Sequence, residues 1–377
     1  MNNLRKAVGG SVAALLAASI LTACGSEPDD KAGDTPSTGT SESSDTTATD
    51  FLPCIVSDAG GFDDKSFNQL SYEGVKQAAD ELGTDFKAVE SNSENDFGPN
   101  LDSLVAEGCD AIVTVGFALA AATKESAAAN PDIEYVLIDD AADGGKDGQT
   151  FDGKADEPNI KPLLYDTAQA AFMAGYLAAD YTKTGVVGTY GGQPYPTVTI
   201  FMDGFKQGVD YYAKEKGKDV KVVGWNGKDG TFTGGFEANE TATNTARQLL
   251  DQDVDVILPV GGPIYQGALT AIQASGKDVA LIGVDADFYD TDPKTQDVVL
   301  TSILKNMKVS TYEAMMAAGS GGDFDFTPYV GTLENDGVGI APLHNFESKV
   351  SDTVVAELEQ VKQGIIDGSI KVTSYLQ

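Results

Sequence analysis

The chain of 377 residues contains one histidine, His344, and that scarcity excludes much chemistry at the outset. A nucleophile–histidine constellation has nothing to form around, and no His/Cys spacing suits a metal. Positive charge is also scarce: 25 Lys and Arg stand against 58 Asp and Glu, for a net charge of −33. Such a surface repels phosphate backbones, so nucleic acid is not an expected partner. The apolar run from Val8 to Leu21 is about 14 residues long, where a bilayer span needs about 20. No Gly-x-x-x-x-Gly-Lys-Ser/Thr loop is present, because Gly61-Phe62-Asp63-Asp64-Lys65-Ser66 lacks the second glycine. No Asp-x-Asp-x-Asp-Gly run supports an EF-hand. The expectation is a binding protein with no cofactor and no metal, rather than an enzyme.

What is present begins with an export signal. Arg5 and Lys6 precede the apolar run, and Leu21-Thr22-Ala23-Cys24 closes it with small residues before a cysteine. This ending resembles a bacterial lipobox, which would make residues 1–23 a leader and Cys24 a lipidated N-terminus; an ordinary signal cleaved near Ala23 is the alternative. Residues 24–50 are rich in Ser, Thr, Asp and Gly without apolar periodicity, and read as a disordered tether. Lipid and tether together predict a domain held at the extracytoplasmic face of the cell membrane. The two remaining cysteines are Cys54 and Cys109. An exported chain permits a disulfide between them, with two buried thiols as the other reading.

From residue 51 onwards, apolar runs of strand length alternate with helical periodicity, the pattern of an α/β fold with parallel sheets. Three segments recur in the same order. Tyr72-Glu73-Gly74-Val75-Lys76-Gln77 matches Met202-Asp203-Gly204-Phe205-Lys206-Gln207, Asp110–Phe117 matches Asp255–Gly262, and Tyr135–Asp139 parallels Ala280–Asp285. The echoes predict two Rossmann-like lobes with the carboxyl edges of both sheets facing one cleft. Cys54 lies in the first strand and Cys109 just before the strand Ala111–Val115, so both would lie near the same sheet end if the first sheet is ordered 2-1-3.

The most informative stretch is Ser57-Asp58-Ala59-Gly60-Gly61-Phe62-Asp63-Asp64-Lys65-Ser66-Phe67-Asn68, between the first strand and the first helix. Asp58-x-Gly-Gly-x-x-Asp-Lys-Ser-Phe-Asn, followed by Tyr72-Glu73-Gly74, resembles the opening signature of the basic membrane protein (BMP) lipoproteins. These are nucleoside-binding components of ABC importers, and the resemblance extends from about residue 52 to the C-terminus. It implies the type I periplasmic binding protein fold, with lobes joined by a three-crossover hinge near Tyr165, Asp285 and Thr327. The strand Val298–Leu304 would then return to the first lobe. Lobe 1 becomes residues 51–165 plus 286–327, and lobe 2 residues 166–285 plus 328–377. The implied partners are a nucleoside, an ABC permease and its ATPase, with the receptor a monomer.

A nucleoside needs aromatic faces for its base and a carboxylate with a nearby cation for its ribose hydroxyls. Asp58 and Asn68 could read base edges. Phe67 is either a stacking face, as the resemblance implies, or helix–sheet core. Phe117 follows a strand and either lines the cleft mouth or packs. Asp139 ends a strand, where a carboxylate is costly unless paired or bound to ligand. Phe201 is a candidate second stacking face or core, and Gly261 lets backbone approach a ligand closely. Asp285 and Lys305 are expected to hold the ribose, a ligand-free salt bridge being the alternative. Rival readings are a receptor for another small polar ligand, such as a sugar or autoinducer, and a nucleoside-processing surface enzyme.

Overall fold

The computed structural model describes residues 50–143 and 155–376; the leader, Cys24, the tether up to residue 49 and residues 144–154 lie outside the described residues. The chain first runs β1 (Pro53–Val56), α1 (Phe67–Leu82), β2 (Lys87–Val89), α2 (Phe97–Ala106), β3 (Ala111–Val115), α3 (Ala120–Ala129), β4 (Glu134–Ile138) and β5 (Ile160–Tyr165). The alternation then repeats through α4 (Thr167–Tyr181), β6 (Val186–Gly191), α5 (Pro196–Lys216), β7 (Lys221–Val223), α6 (Glu240–Leu250), β8 (Val256–Val260), α7 (Tyr265–Ser275) and β9 (Ala280–Asp285). A short α8 (Phe288–Thr291) leads to β10 (Val299–Lys305), α9 (Met307–Gly319), β11 (Tyr329–Gly331), β12 (Val338–Ile340) and α10 (Val354–Ile366).

Two six-stranded sheets result, ordered β2-β1-β3-β4-β5-β11 and β7-β6-β8-β9-β10-β12. All pairings are parallel except that of β12 with β10. Strands β1, β3, β8 and β9 are buried along their whole length, as strands covered by helices on both faces must be. The second sheet repeats the strand order of the first, which is the structural counterpart of the sequence echoes.

Cys54 and Cys109 form a disulfide with Cα atoms 5.9 Å apart. The 2-1-3 order brings this about: β1 lies beside β3, with Pro53 opposite Ala111, so both cysteines reach the same end of the sheet. Replacing both by alanine should cost about 4 kcal/mol, because the bridge closes a long loop in the unfolded chain. Denaturant unfolding of the double variant checks this, and an unchanged midpoint would contradict it.

The path between lobes differs in two places from the sequence expectation. The chain passes to the second lobe after Tyr165, since α4 packs against α5, β10 and β12. The next crossing, expected near Asp285, follows Lys305 instead. β10 pairs in register with β9 from Ser302 opposite Gly283 to Leu304 opposite Asp285, so Val298–Leu304 extends the second sheet and does not return to the first. The elements that return are α9, packing on α1, and β11 after it. The last crossing, expected near Thr327, follows Gly331, because β11 pairs with β5 in the first sheet while β12 pairs with β10 in the second. An apolar run announces that a strand is buried on both faces, not which of two similar sheets it joins.

Helices α4 and α5 meet backbone to backbone. A Cβ on Gly208 would lie 1.9 Å from the Phe172 carbonyl oxygen, one on Gly175 2.0 Å from that of Phe205, and one on Gly204 2.3 Å from that of Ala168. Only glycine permits this approach. The second lobe is thereby fixed to the helix that enters it.

Candidate functional site

Loops at the carboxyl ends of both sheets enclose a cleft of about 550 Å³. All nine sequence-selected residues line it: Asp58, Phe67, Asn68, Phe117 and Asp139 from the first lobe, and Phe201, Gly261, Asp285 and Lys305 from the second. The pseudo-symmetry reaches into the site. Asp139 directly follows β4 and Asp285 ends β9, equivalent strands, and both have a φ of 68°. Gly116 and Gly261, with φ of 105° and 140°, directly follow β3 and β8. Left-handed backbone at a strand end turns the chain sharply, and aspartate tolerates it better than most residues.

At the centre lies a buried charge cluster. The Lys305 Nζ donates to Asp139 Oδ2 at 2.6 Å and stands 3.7 Å from Asp285 Oδ1. The closer partner of the amine is therefore Asp139, across the cleft, rather than Asp285, the neighbour expected from sequence. Asp285 Oδ2 accepts from the Ser66 hydroxyl at 3.2 Å. Among the described residues its Oδ1 accepts no hydrogen bond. Burial raises the Asp285 carboxyl to about 6, opposed by Lys305 and reinforced by Asp139. A buried acceptor oxygen without a donor is a costly arrangement that a donating ligand would relieve.

Aromatic rings surround this cluster in two sets. Phe67, Phe201 and Tyr165 face the Lys305 amine, their centroids 5.2, 5.1 and 5.7 Å from Nζ. Phe67 is half-buried, whereas Phe201 is only 2% exposed and its ring packs against the amine. The second set bridges the lobes: Phe117 lies 4.4 Å from Tyr195 and 6.0 Å from Phe236, centroid to centroid. Phe236 stacks at 21° to Tyr195 and covers Gly192 and Gly261, where a Cβ would come within 2.4 and 2.7 Å of its ring.

The first loop is built on carboxylates. Asp58 Oδ1 accepts from the Gly60 N–H and the Asn68 side-chain amide, both at 2.8 Å, while Asn68 Oδ1 accepts from the Asp58 N–H at 3.2 Å. Burial pushes the Asp58 carboxyl up to about 6, against the pull of those hydrogen bonds. Asp64, 4% exposed, caps the start of α1. Burial raises its carboxyl too.

Four contributors escaped the sequence reading. Ser66 and Asp64 lay inside the signature without a separate role. Tyr195, just before Pro196, and Phe236, after Gly234-Gly235, lie in loops where periodicity carries no information; a lone aromatic beside glycines was the only signal available.

A second cavity, of about 930 Å³, lies behind the hinge between β12 and α10 and shares Asp285 and Lys305 with the cleft. There His344 Nε2 lies 2.7 Å from Asp287 Oδ2 and its ring stacks on Tyr289 at 3.9 Å. The cleft is the candidate site despite its smaller volume. It lies at the carboxyl ends of both sheets, where open α/β folds bind ligands.

Two matching α/β lobes, three crossings and a polar cleft lined with rings define a two-lobed solute-binding protein of the type I periplasmic fold. A solved solute-binding protein of an ABC transporter system from Aeropyrum pernix superposes with a TM-score of 0.74 at 26% identity, covering 86% of this chain and 93% of that one. Residues 52–375 match the family described as ABC transporter substrate-binding protein PnrA-like, and the chain belongs to that Bmp family. Its relatives include a Listeria innocua protein named CD4+ T-cell-stimulating antigen, 30% identical with 94% of each chain covered. Another, from Lactococcus lactis, is named ABC transporter nucleoside-binding protein BmpA and is 29% identical, over 86% of this chain and 90% of that one. An uncharacterized lipoprotein of Pyrococcus abyssi is 30% identical over 69% of this chain. The chain is thus an ABC transporter substrate-binding protein, whose family implies a ligand and a permease as partners.

Proposed function

We propose that this protein captures nucleosides in the interlobe cleft and, anchored through lipid on Cys24, delivers them to an ABC permease and its ATPase. The observation that carries the reading is the unpartnered Asp285 Oδ1 beside the Lys305 amine, within reach of rings from both lobes. In this reading the ribose hydroxyls donate to Asp285, with Lys305 holding the charge in place. The base lies against Phe67 on one side. On the other, the half-exposed Phe236 and Tyr195 are better placed to stack than Phe201, whose ring is buried. Asp58, whose Oδ2 accepts none of the hydrogen bonds that hold the loop, serves the base edge. The similarity to the Lactococcus protein named for nucleoside binding supports the same choice.

A thermal-shift panel of nucleosides, free bases and sugars on the purified protein tests this. Nucleosides should raise the melting temperature with concentration, by the equivalent of about 2.7 kcal/mol at a hundredfold excess over Kd. Sugars should leave it unchanged, and the nucleoside should be recovered intact. A response to sugars alone, or release of free base, would overturn the proposal.

A further inference from the structure

After β1 and again at Asn92–Ser93, the first lobe spends backbone donors of its cleft rim on its own carboxylates. In open α/β folds, the loop after the first strand and the start of the following helix form the usual anion site, with free N–H groups aimed at a phosphate. Here Asp64 already occupies that position. Its carboxylate accepts the N–H groups of Ser66 at 3.0 Å, Asn68 at 2.8 Å and Gln69 at 3.1 Å. At the neighbouring rim, Asp96 Oδ2 accepts the N–H groups of Asn92 and Ser93, both at 3.0 Å. In the second lobe α5 opens with Pro196, which has no N–H to offer.

The charges of the cleft point the same way. Asp58, Asp64, Glu94, Asp139, Glu237 and Asp285 line it, and Lys305 is the single cation among the lining residues. That amine is already claimed by Asp139 at 2.6 Å. A phosphomonoester brings close to two negative charges at neutral pH and would find the N–H groups at the start of α1 already taken by Asp64 and the one lining cation already paired.

We infer that Asp64 is a built-in anion plug that makes the cleft reject phosphorylated ligands, so that a nucleotide can become a ligand only after phosphomonoester hydrolysis outside the membrane. That reaction cleaves the phosphate ester with water, releasing inorganic phosphate and the neutral nucleoside that the cleft accepts. The inference rests on the nucleoside reading above and adds a determinant of selectivity to it.

Titration calorimetry with purine and pyrimidine nucleosides and their 5′-monophosphates decides it. The wild-type protein should bind its preferred nucleoside at least 100-fold more tightly than the corresponding monophosphate. Asp64→Ala, which exposes the three N–H groups and removes a charge, should shrink that ratio at least tenfold; Asp64→Asn, which keeps one acceptor, should shrink it less. A purely structural Asp64 would weaken both ligands equally and leave the ratio unchanged, which overturns the assignment. Equal wild-type affinity for nucleoside and monophosphate overturns it as well, while leaving nucleoside capture intact. Failure of every nucleoside to bind removes the underlying reading and this inference with it. Should Asp64→Ala not fold, the wild-type ratio and Asp64→Asn still decide the question.

Discussion

Replacing Asp285 by asparagine should weaken the proposed nucleoside binding by at least about 100-fold and, above pH 6, should make the ligand-free protein more stable. The binding loss follows from removing a charged acceptor of two hydroxyls, since hydrogen bonds to a charged group contribute roughly 1.5–3 kcal/mol each. The stability gain has the opposite sign because burial raises the Asp285 carboxyl from 3.8 to about 6 in the fold. A carboxyl raised on folding contributes stability that is fully present below its unfolded value. That stability is lost as pH climbs through about 6, and linkage puts the cost at about 3 kcal/mol by pH 8. Asparagine cannot ionise and escapes this cost. Urea unfolding of both proteins at pH 5 and pH 8 gives the comparison: the variant should gain on the wild type only at the higher pH. Binding should carry the same signature. Hydroxyls donating to the ionised carboxylate lower its proton affinity, so capture near pH 6 releases protons. Affinity accordingly falls as pH drops from 7 to 5. Calorimetry in buffers of different ionisation enthalpy reads this directly, and a buffer-independent heat together with unchanged affinity in Asp285→Asn would remove Asp285 from the ligand.

Lys305→Met should be the most damaging single change in the site. It leaves Asp139 and Asp285, 5% and 6% exposed, facing one another without the amine between them. Breaking a buried ion pair by removing one partner costs roughly 3–5 kcal/mol, because the remaining charge has neither water nor counter-charge. The loss should be greatest at pH 7 and smaller at pH 5, where one carboxyl can take up a proton. Adding Asp139→Asn to Lys305→Met should recover a substantial part of the stability. If the double variant is no more stable than the single one, the charge argument fails and loss of the amine's contacts with the Phe67, Tyr165 and Phe201 rings explains the damage.

The sequence made the alternating pattern, the paired lobes and nine of the residues that line the cleft legible because these depend on local order. Strand ends carrying Asp139 and Asp285 are visible as an acid closing an apolar run. Glycines at Gly116 and Gly261 mark the turns next to them. Partner choice was less legible. Lys305 pairs most closely with Asp139, 166 residues away, and which of two acids an amine prefers is set by lobe placement that no spacing encodes. The same gap separates the expectation for β10, a return to the first lobe, from its place in the second sheet. Phe201 shows a further limit: helical spacing does not tell how deeply an aromatic beside a cleft is buried, and this ring is 2% exposed, with its centroid 5.1 Å from the Lys305 amine.

The glycine seam between α4 and α5 has a mechanical consequence. With Phe172 and Phe205 carbonyls lodged where side chains would otherwise stand, the two helices have no slack to slide past one another. Rotation of one half against the other is then concentrated in the three thin connectors beyond Tyr165, Lys305 and Gly331, like a lever turning on a pin. A docked permease pushing anywhere on the second half would feel the grip on its cargo through one stiff body.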